Sequence, residues 1–439
     1  MNYKPYSAYK DSGIEWLGKI PEGWNLSPLF VILPEHYVQN IGMQSSDVLS
    51  LSYGEIIQKD VSDNFGLLPE SFETYQLVSP DDIILRLTDL QNDQRSLRTA
   101  ISSFSGIITS AYIKLRCYQD SSYFHWLLYS ADIQKVFYGL GGGVRQSIKY
   151  IDLKRFPLVV PPLPTQKAIA TFLDVRTVRI GGLVRNYEEL IALLKEKRQT
   201  LVSHAVTRGL SELVSTDDPE FGEWARPVVF KDSGVEWLGE IPEGWDLKKL
   251  SFLFKAKKGS NAAQLTKEYC ASIEGEYPVY SGQTENDGVM ASINTAEFDS
   301  GSDGYLFSTT VGAKAMSLMH IRGKFSLSQN CMVIIPLTIT TDVRFQYYHM
   351  QPLFSYERGL IPEHMQASFR MEDLYKYRLA LPPIPIQKAI AAFLDRETAR
   401  LDALVTEAEG AIELLKERRS ALITAAVTGK INVEEMTGV

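Results

Sequence analysis

The chain has 439 residues, 45% of them hydrophobic and 22% charged, which is too long for one ordinary core and predicts a folded protein of two or more domains, not a disordered tail. No run of about 18 apolar residues is present and the start lacks the order of a secretory signal, so no membrane association and a cytoplasmic location are expected. A net charge of -8 argues against a simple nucleic-acid binder, and Cys117, Cys270 and Cys331 are too far apart for a disulfide framework or a zinc site and read as buried thiols.

In chain order, residues 1–24 form a frame segment ending in KDSGIEWLGKIPEGW from Lys10 to Trp24. Residues 25–164 form a globular insert in which β-rich runs such as Asp82-Ile83-Ile84-Leu85 precede a helix expected from Tyr123 to Tyr138. After that strand come Arg86, Gln91, Asn92, Gln94, Arg95 and Arg98, side chains that can read base edges, since arginine pairs with guanine and asparagine or glutamine with adenine. A solvated loop explains the same run equally well. Thr109 and Ser110 are further candidates, as are Arg145 and Gln146, which follow a glycine run from Gly139 to Gly143 that either admits a phosphate or is a plain flexible loop.

Residues 165–209 have helical periodicity, with Leu173, Ile180, Tyr187, Leu194 and Leu201 spaced by seven. Leu183, Val184, Leu190 and Ile191 widen this seam, and Gly181-Gly182 predicts a kink or local fraying. About 44 residues make a rod roughly 65 Å long at 1.5 Å per residue.

Residues 210–245 are a connector and a second frame segment. KDSGVEWLGEIPEGW, from Lys231 to Trp245, matches the first frame at 13 of 15 positions with an offset of 221. The same offset relates PPLPTQKAIATFLD at Pro161 to PPIPIQKAIAAFLD at Pro382, so a whole domain plus helix is duplicated. Parallel rods would require the short connector to run back about 65 Å, close to its full reach at about 3.3 Å per residue. An antiparallel pair is therefore expected.

The second insert, 246–385, shares almost no sequence with the first but mixes the same elements, including Cys331 to Ile335 as a strand and Val343 to Glu357 as a helix. Its candidate contacts are Lys257, Lys258, Ser281, Gln283, Lys314, Arg322, Gln329, Asn330, His364 and Gln366. Residues 386–431 form the second long helix, with Leu394, Leu401, Ala408, Leu415 and Leu422 on its seam, and 432–439 a tail. The expected fold is α+β: two globular domains separated by two long antiparallel coiled-coil helices in a pseudo-twofold internal repeat.

Catalytic signatures are missing. The Pro-Pro pairs at 161 and 382 follow Val or Leu, where an amino-methyltransferase needs Asp or Asn before Pro-Pro-Tyr/Phe. Gly312-Ala313-Lys314 breaks a P-loop, and six scattered histidines form no metal motif. A metal-dependent nuclease would need a second acid and a lysine after Pro80-Asp81-Asp82, but the next strand carries Tyr112-Ile113-Lys114, so the acidic pair most simply starts a strand.

The segments DSGIEWLGKIPEGW, PPLPTQKAIATFLD and LLKEKRQTLVSHAVTRG resemble the specificity subunit of type I restriction-modification systems, a likeness that covers essentially the whole chain. The resemblance implies a non-catalytic subunit in which two target-recognition domains each read one half of a split sequence in double-stranded DNA, and conserved helices set the spacing. It also implies two modification subunits that methylate adenine with S-adenosylmethionine, and restriction subunits that use ATP and Mg. Those cofactors would belong to the partners and none to this chain. Two alternatives stay open: a specificity subunit of another restriction class with a fused methylase-nuclease partner, and a stand-alone DNA-modifying enzyme.

Overall fold

A computed structural model describes residues 3–59, 71–90, 93, 97–140, 147–282, 286–312, 314–362 and 364–434. The chain divides into two compact units, residues 1–188 with 410–439, and residues 189–409. Both long helices pass from one unit into the other.

Each frame is a small antiparallel hairpin, Tyr9–Asp11 with Lys19–Pro21 and Phe230–Asp232 with Glu240–Pro242. The shared letters make shared bonds. Asp11 Oδ1 accepts from Gly13 N at 2.9 Å and Asp232 Oδ1 from Gly234 N at 2.9 Å, and the glycines take positive φ at the turn.

The inserts share a fold without sharing a sequence. Asn25–Pro28 pairs with Pro157–Val160 in the first unit, and Asp246–Lys249 pairs with Arg378–Leu381 in the second, displaced by the same 221 residues. The short helices Tyr150–Leu153 and Met371–Leu374 keep that offset too. In the first unit the central sheet runs Ile113–Leu115, Ile83–Leu85, Thr99–Ile101; in the second, Cys331–Pro336, Tyr305–Thr309, Leu318–Ile321 stand in the same antiparallel order, with Phe254–Lys257 added outside. A helix packs against each sheet, Ser121–Ile133 and Val343–Gly359, capped by Asp120 and Asp342 carboxylates that accept backbone N–H bonds at 2.8 Å.

The long helices span Leu163–Arg208 and Ile384–Val427, 46 and 44 residues. Both begin two residues earlier than expected, because Pro164 and Pro385 fall in the first turn, where the missing N–H has no helical partner to lose. The first runs unbroken through Gly181-Gly182, without the fraying expected there. On the seam, Leu173, Ile180, Leu394, Leu401, Ala408 and Leu422 are buried, while Tyr187, Leu194, Leu201 and Leu415 are half-buried.

The pairing is antiparallel. In the first unit Ala168, Phe172 and Leu173 share a core with Leu422, Ile423 and Val427; in the second, Val202, Ala205 and Val206 share one with Ile390, Phe393 and Leu394. Each frame packs on the end of the other copy's helix: Leu17, Ile20 and Trp24 lie with Ala426 and Val427, and Leu238, Ile241 and Trp245 lie with Ala205 and Val206.

The second helix stops at Val427, four residues short of the expected end. Gly429 takes φ +72° and Lys430 N closes on Ala425 O at 2.8 Å, a left-handed cap that turns the chain off the helix. Residues 429–433 then lie on the first frame. Lys430 Nζ donates to Leu17 O at 3.1 Å and Lys19 O at 2.7 Å, Asn432 N donates to Lys4 O at 2.8 Å, and Val433 is buried.

Candidate nucleic-acid interface

In the first unit the sheet gathers three stretches at one edge. The chain leaves the central strand at Arg86 and returns at Arg98, where Arg86 N donates to Arg98 O at 2.8 Å. The turn Thr109–Tyr112 opens the neighbouring strand at the same end, because Leu85 faces both Thr99 and Ile113. On the far side of the glycine run, Ile148 N donates to Leu87 O at 2.9 Å, and before it Tyr138 Oη donates to Asp93 O at 3.3 Å.

Arg86 and Thr109 are half-buried on this edge and Ser110 is exposed. Gln91, Asn92, Gln94, Arg95, Arg145 and Gln146 lie outside the described residues. The expectation for Arg98 is corrected. Its side chain is 0% exposed, with Nη1 donating to Thr88 O at 3.0 Å and Nη2 to the carbonyls of Asp89 and Asp93, so it binds the loop from beneath and offers nothing to a base edge.

The second unit builds the equivalent edge. Thr309 pairs with Cys331 and Lys257 with Val333, so the ends of three strands meet there. Thr310 N donates to Asn330 O at 2.7 Å, Gly312 N to Ala367 O at 3.1 Å, and Ser328 N to Tyr280 O at 2.9 Å. These bonds draw Lys257, Lys258, Gln329, Asn330, Lys314, His364 and Gln366, all exposed, toward one rim, with Ser281 buried beneath it. Gln283 lies outside the described residues. Lys257, Lys258 and Lys314 bring three cationic side chains to this rim, with the Glu297 carboxylate accepting from Ser260 N at 2.7 Å beside the first two, and cationic side chains are what phosphates attract.

Arg322 does not join them. It follows Ile321, which pairs with Tyr305 at the opposite end of the sheet, and lines a cleft of about 330 Å³ with His320, Arg344 and Asp395. Its sequence neighbours gave no sign of which strand end it would occupy, so the grouping with the other candidates is corrected.

Residues that organise the edge escaped sequence reasoning. Gln76 is 1% exposed, and its amide donates to Thr109 O at 3.2 Å and Tyr112 O at 2.6 Å, fixing the turn. A glutamine inside the run Gln76-Leu77-Val78 is the available signal. Asp82 and Lys114, the acid and lysine of the nuclease hint, are both buried and 3.5 Å apart. Lys114 Nζ is committed to Leu77 O at 2.6 Å and Asp82 Oδ2 accepts from Ser79 N at 2.9 Å, a structural use of both groups. Burial pushes the Lys114 pKa down while Asp82 opposes that shift. Among the described residues no cluster of three or more His, Cys, Asp or Glu could hold a metal ion, and no helix is long and apolar enough to cross a membrane.

The family profile of the type I restriction modification DNA specificity domain matches residues 98–178 and 242–414, more than half of the chain and parts of both halves. The chain belongs to the type I restriction-modification DNA specificity family. In this specificity chain the match reaches both central sheets and both long helices.

It is 25% identical over 269 residues to S.MpnORF615P, a candidate type I specificity subunit of Mycoplasma pneumoniae, covering 61% of this chain and 90% of that one. It is 29% identical over 157 residues to the specificity subunit of the type I restriction enzyme MpnII from the same organism, covering 35% of this chain and 45% of that one. Among solved structures, a chain from work on complex assembly and conformational transition of the type I R-M system superposes with TM-score 0.66 at 15% identity, over 94% of this chain and 99% of that chain. At that identity the likeness speaks for the fold.

Proposed function

We propose that this chain is the DNA-recognition subunit of a type I restriction-modification enzyme, each unit reading one half of an asymmetric bipartite site. The observation that carries the reading is the pair of equivalent sheet edges: one fold, held by nearly identical frames, presenting unrelated polar side chains. A repeated scaffold with different readers fits two different half-sequences. The long helices fix the spacer between them.

Two modification subunits dock on the helices. Val178 and Leu193 are 71% and 56% exposed on the first helix and Leu414 is 68% exposed on the second, apolar surface that supports a protein partner. Those subunits bring S-adenosylmethionine, restriction subunits bring ATP and Mg, and this chain contributes no catalytic group. Modification subunits closing around the duplex supply the phosphate affinity that an acidic chain lacks. The complex works in the cytoplasm, on double-stranded DNA.

Exchanging residues 25–160 for the corresponding insert of a specificity subunit with a different target tests this. Sequencing of methylated adenines is expected to show one half of the site replaced and the other retained; replacement of both halves contradicts the assignment.

A further inference from the structure

The two reading loops are held by unrelated chemistry. In the first unit the loop leaving Arg86 turns through Asp89 at φ +57°. Buried carbonyls without donors are costly. Arg98 meets three of them at once, the carbonyls of Thr88, Asp89 and Asp93, and its Nη2 lies 3.8 Å from the Asp93 carboxylate. Its own backbone N–H donates to Asp132 Oδ2 at 2.5 Å, tying the base of the loop to the insert helix. A guanidinium offers five donors in a fixed plane, and an ammonium on a flexible stem cannot reproduce that fork.

In the second unit the loop following Thr309 occupies the equivalent place, since Thr309 lies 221 residues after Thr88. Met316 takes φ +65° and Gly312 φ +94°. Here a buried hydroxyl does the holding: Thr309 Oγ1 donates to Lys314 O and accepts from Ser317 N at 3.3 Å, while Ser317 Oγ donates to Lys314 O at 2.7 Å. Position 319, which matches Arg98, is Met319.

Resting on the reading above, we propose that Arg98 and Thr309 are positioning residues for sequence discrimination, each latching the reading loop of its own unit without touching DNA. Preorganised loops discriminate because a mismatched base leaves their polar groups unpaired; a loosened loop rearranges and tolerates the mismatch. Each latch therefore governs one half of the site.

The test uses this chain assembled with its modification subunits. Methylation rates are measured on duplexes carrying the intact site, single-base changes in the half read by the first unit, and single-base changes in the half read by the second. For Arg98→Met and Arg98→Lys, discrimination is expected to fall about tenfold in the first half and to stay within about twofold in the second. Thr309→Val is expected to do the reverse, and Thr309→Ser, which keeps the hydroxyl, to restore it.

Wild-type behaviour of Arg98→Lys, or equal loss in both halves for either latch, overturns the proposal. Thermal unfolding of each assembly is followed in parallel. If the Arg98 variants do not assemble, the Thr309 pair decides: half-specific loss in Val with recovery in Ser supports the latch, and unchanged discrimination in Val overturns it. Failure of the wild-type assembly to read two halves would instead overturn the bipartite reading.

Discussion

Lys114→Met is expected to destabilise the first unit by about 3 kcal/mol, because it takes away the buried cationic partner of the Asp82 carboxylate and leaves Leu77 O without its donor. Asp82 is 2% exposed and its partners are Lys114, the Ser79 N–H and Arg116, whose Nε lies 3.3 Å away and whose side chain is 41% exposed. Removing both charges with Lys114→Met and Asp82→Asn should recover most of the loss, since an apolar and amide replacement leaves no uncompensated ion. Urea unfolding of the two variants checks this. Equal loss in single and double variants would mean that the pair is not what holds the strands together, and would reopen a chemical role for the acid and lysine.

Shortening both long helices by one heptad, residues 182–188 and 403–409, is expected to have the largest effect on function. Seven residues at 1.5 Å remove about 10 Å, and about 3.4 Å per base pair makes that three base pairs. Three of about 10.5 base pairs per turn also rotate one half-site by roughly 100° around the duplex. Methylation of the original site should fall sharply, and the best remaining substrate should carry a spacer about three base pairs shorter. Shortening one helix alone puts the two seams out of register and should cost stability as well. An unchanged spacer preference would remove the helices from the measurement of distance.

The repeat and the long helices were legible in the sequence because both are patterns of spacing. The 221-residue offset survives in Tyr150–Leu153 and Met371–Leu374, and the heptads of Leu173 and Leu394 fall on positions that are buried or half-buried. Facing direction was not legible. Arg86 and Arg98 stand in one polar run, yet one remains on the edge and the other is spent on carbonyls, a distinction made only when the loop folds back on itself. Arg322 was grouped with Lys314 by residue type, and the strand Leu318–Ile321 separates them.

Gln76 and Thr309 were missed because a strand's local pattern does not say which backbone groups its polar side chains will meet, here the carbonyls of the turn Thr109–Tyr112 and of Lys314 in the loop. The docking of the first frame on the end of the second long helix joins residues about 400 positions apart, such as Lys430 and Leu17, which no local pattern announces.

The central claim, two different readers on one repeated scaffold, is tested most directly by mapping methylated adenines across the genome of cells that make this chain with its modification subunits. The predicted result is one motif of two unlike half-sequences separated by a fixed stretch of unspecified bases. Methylation of a palindrome or of an uninterrupted sequence would contradict it.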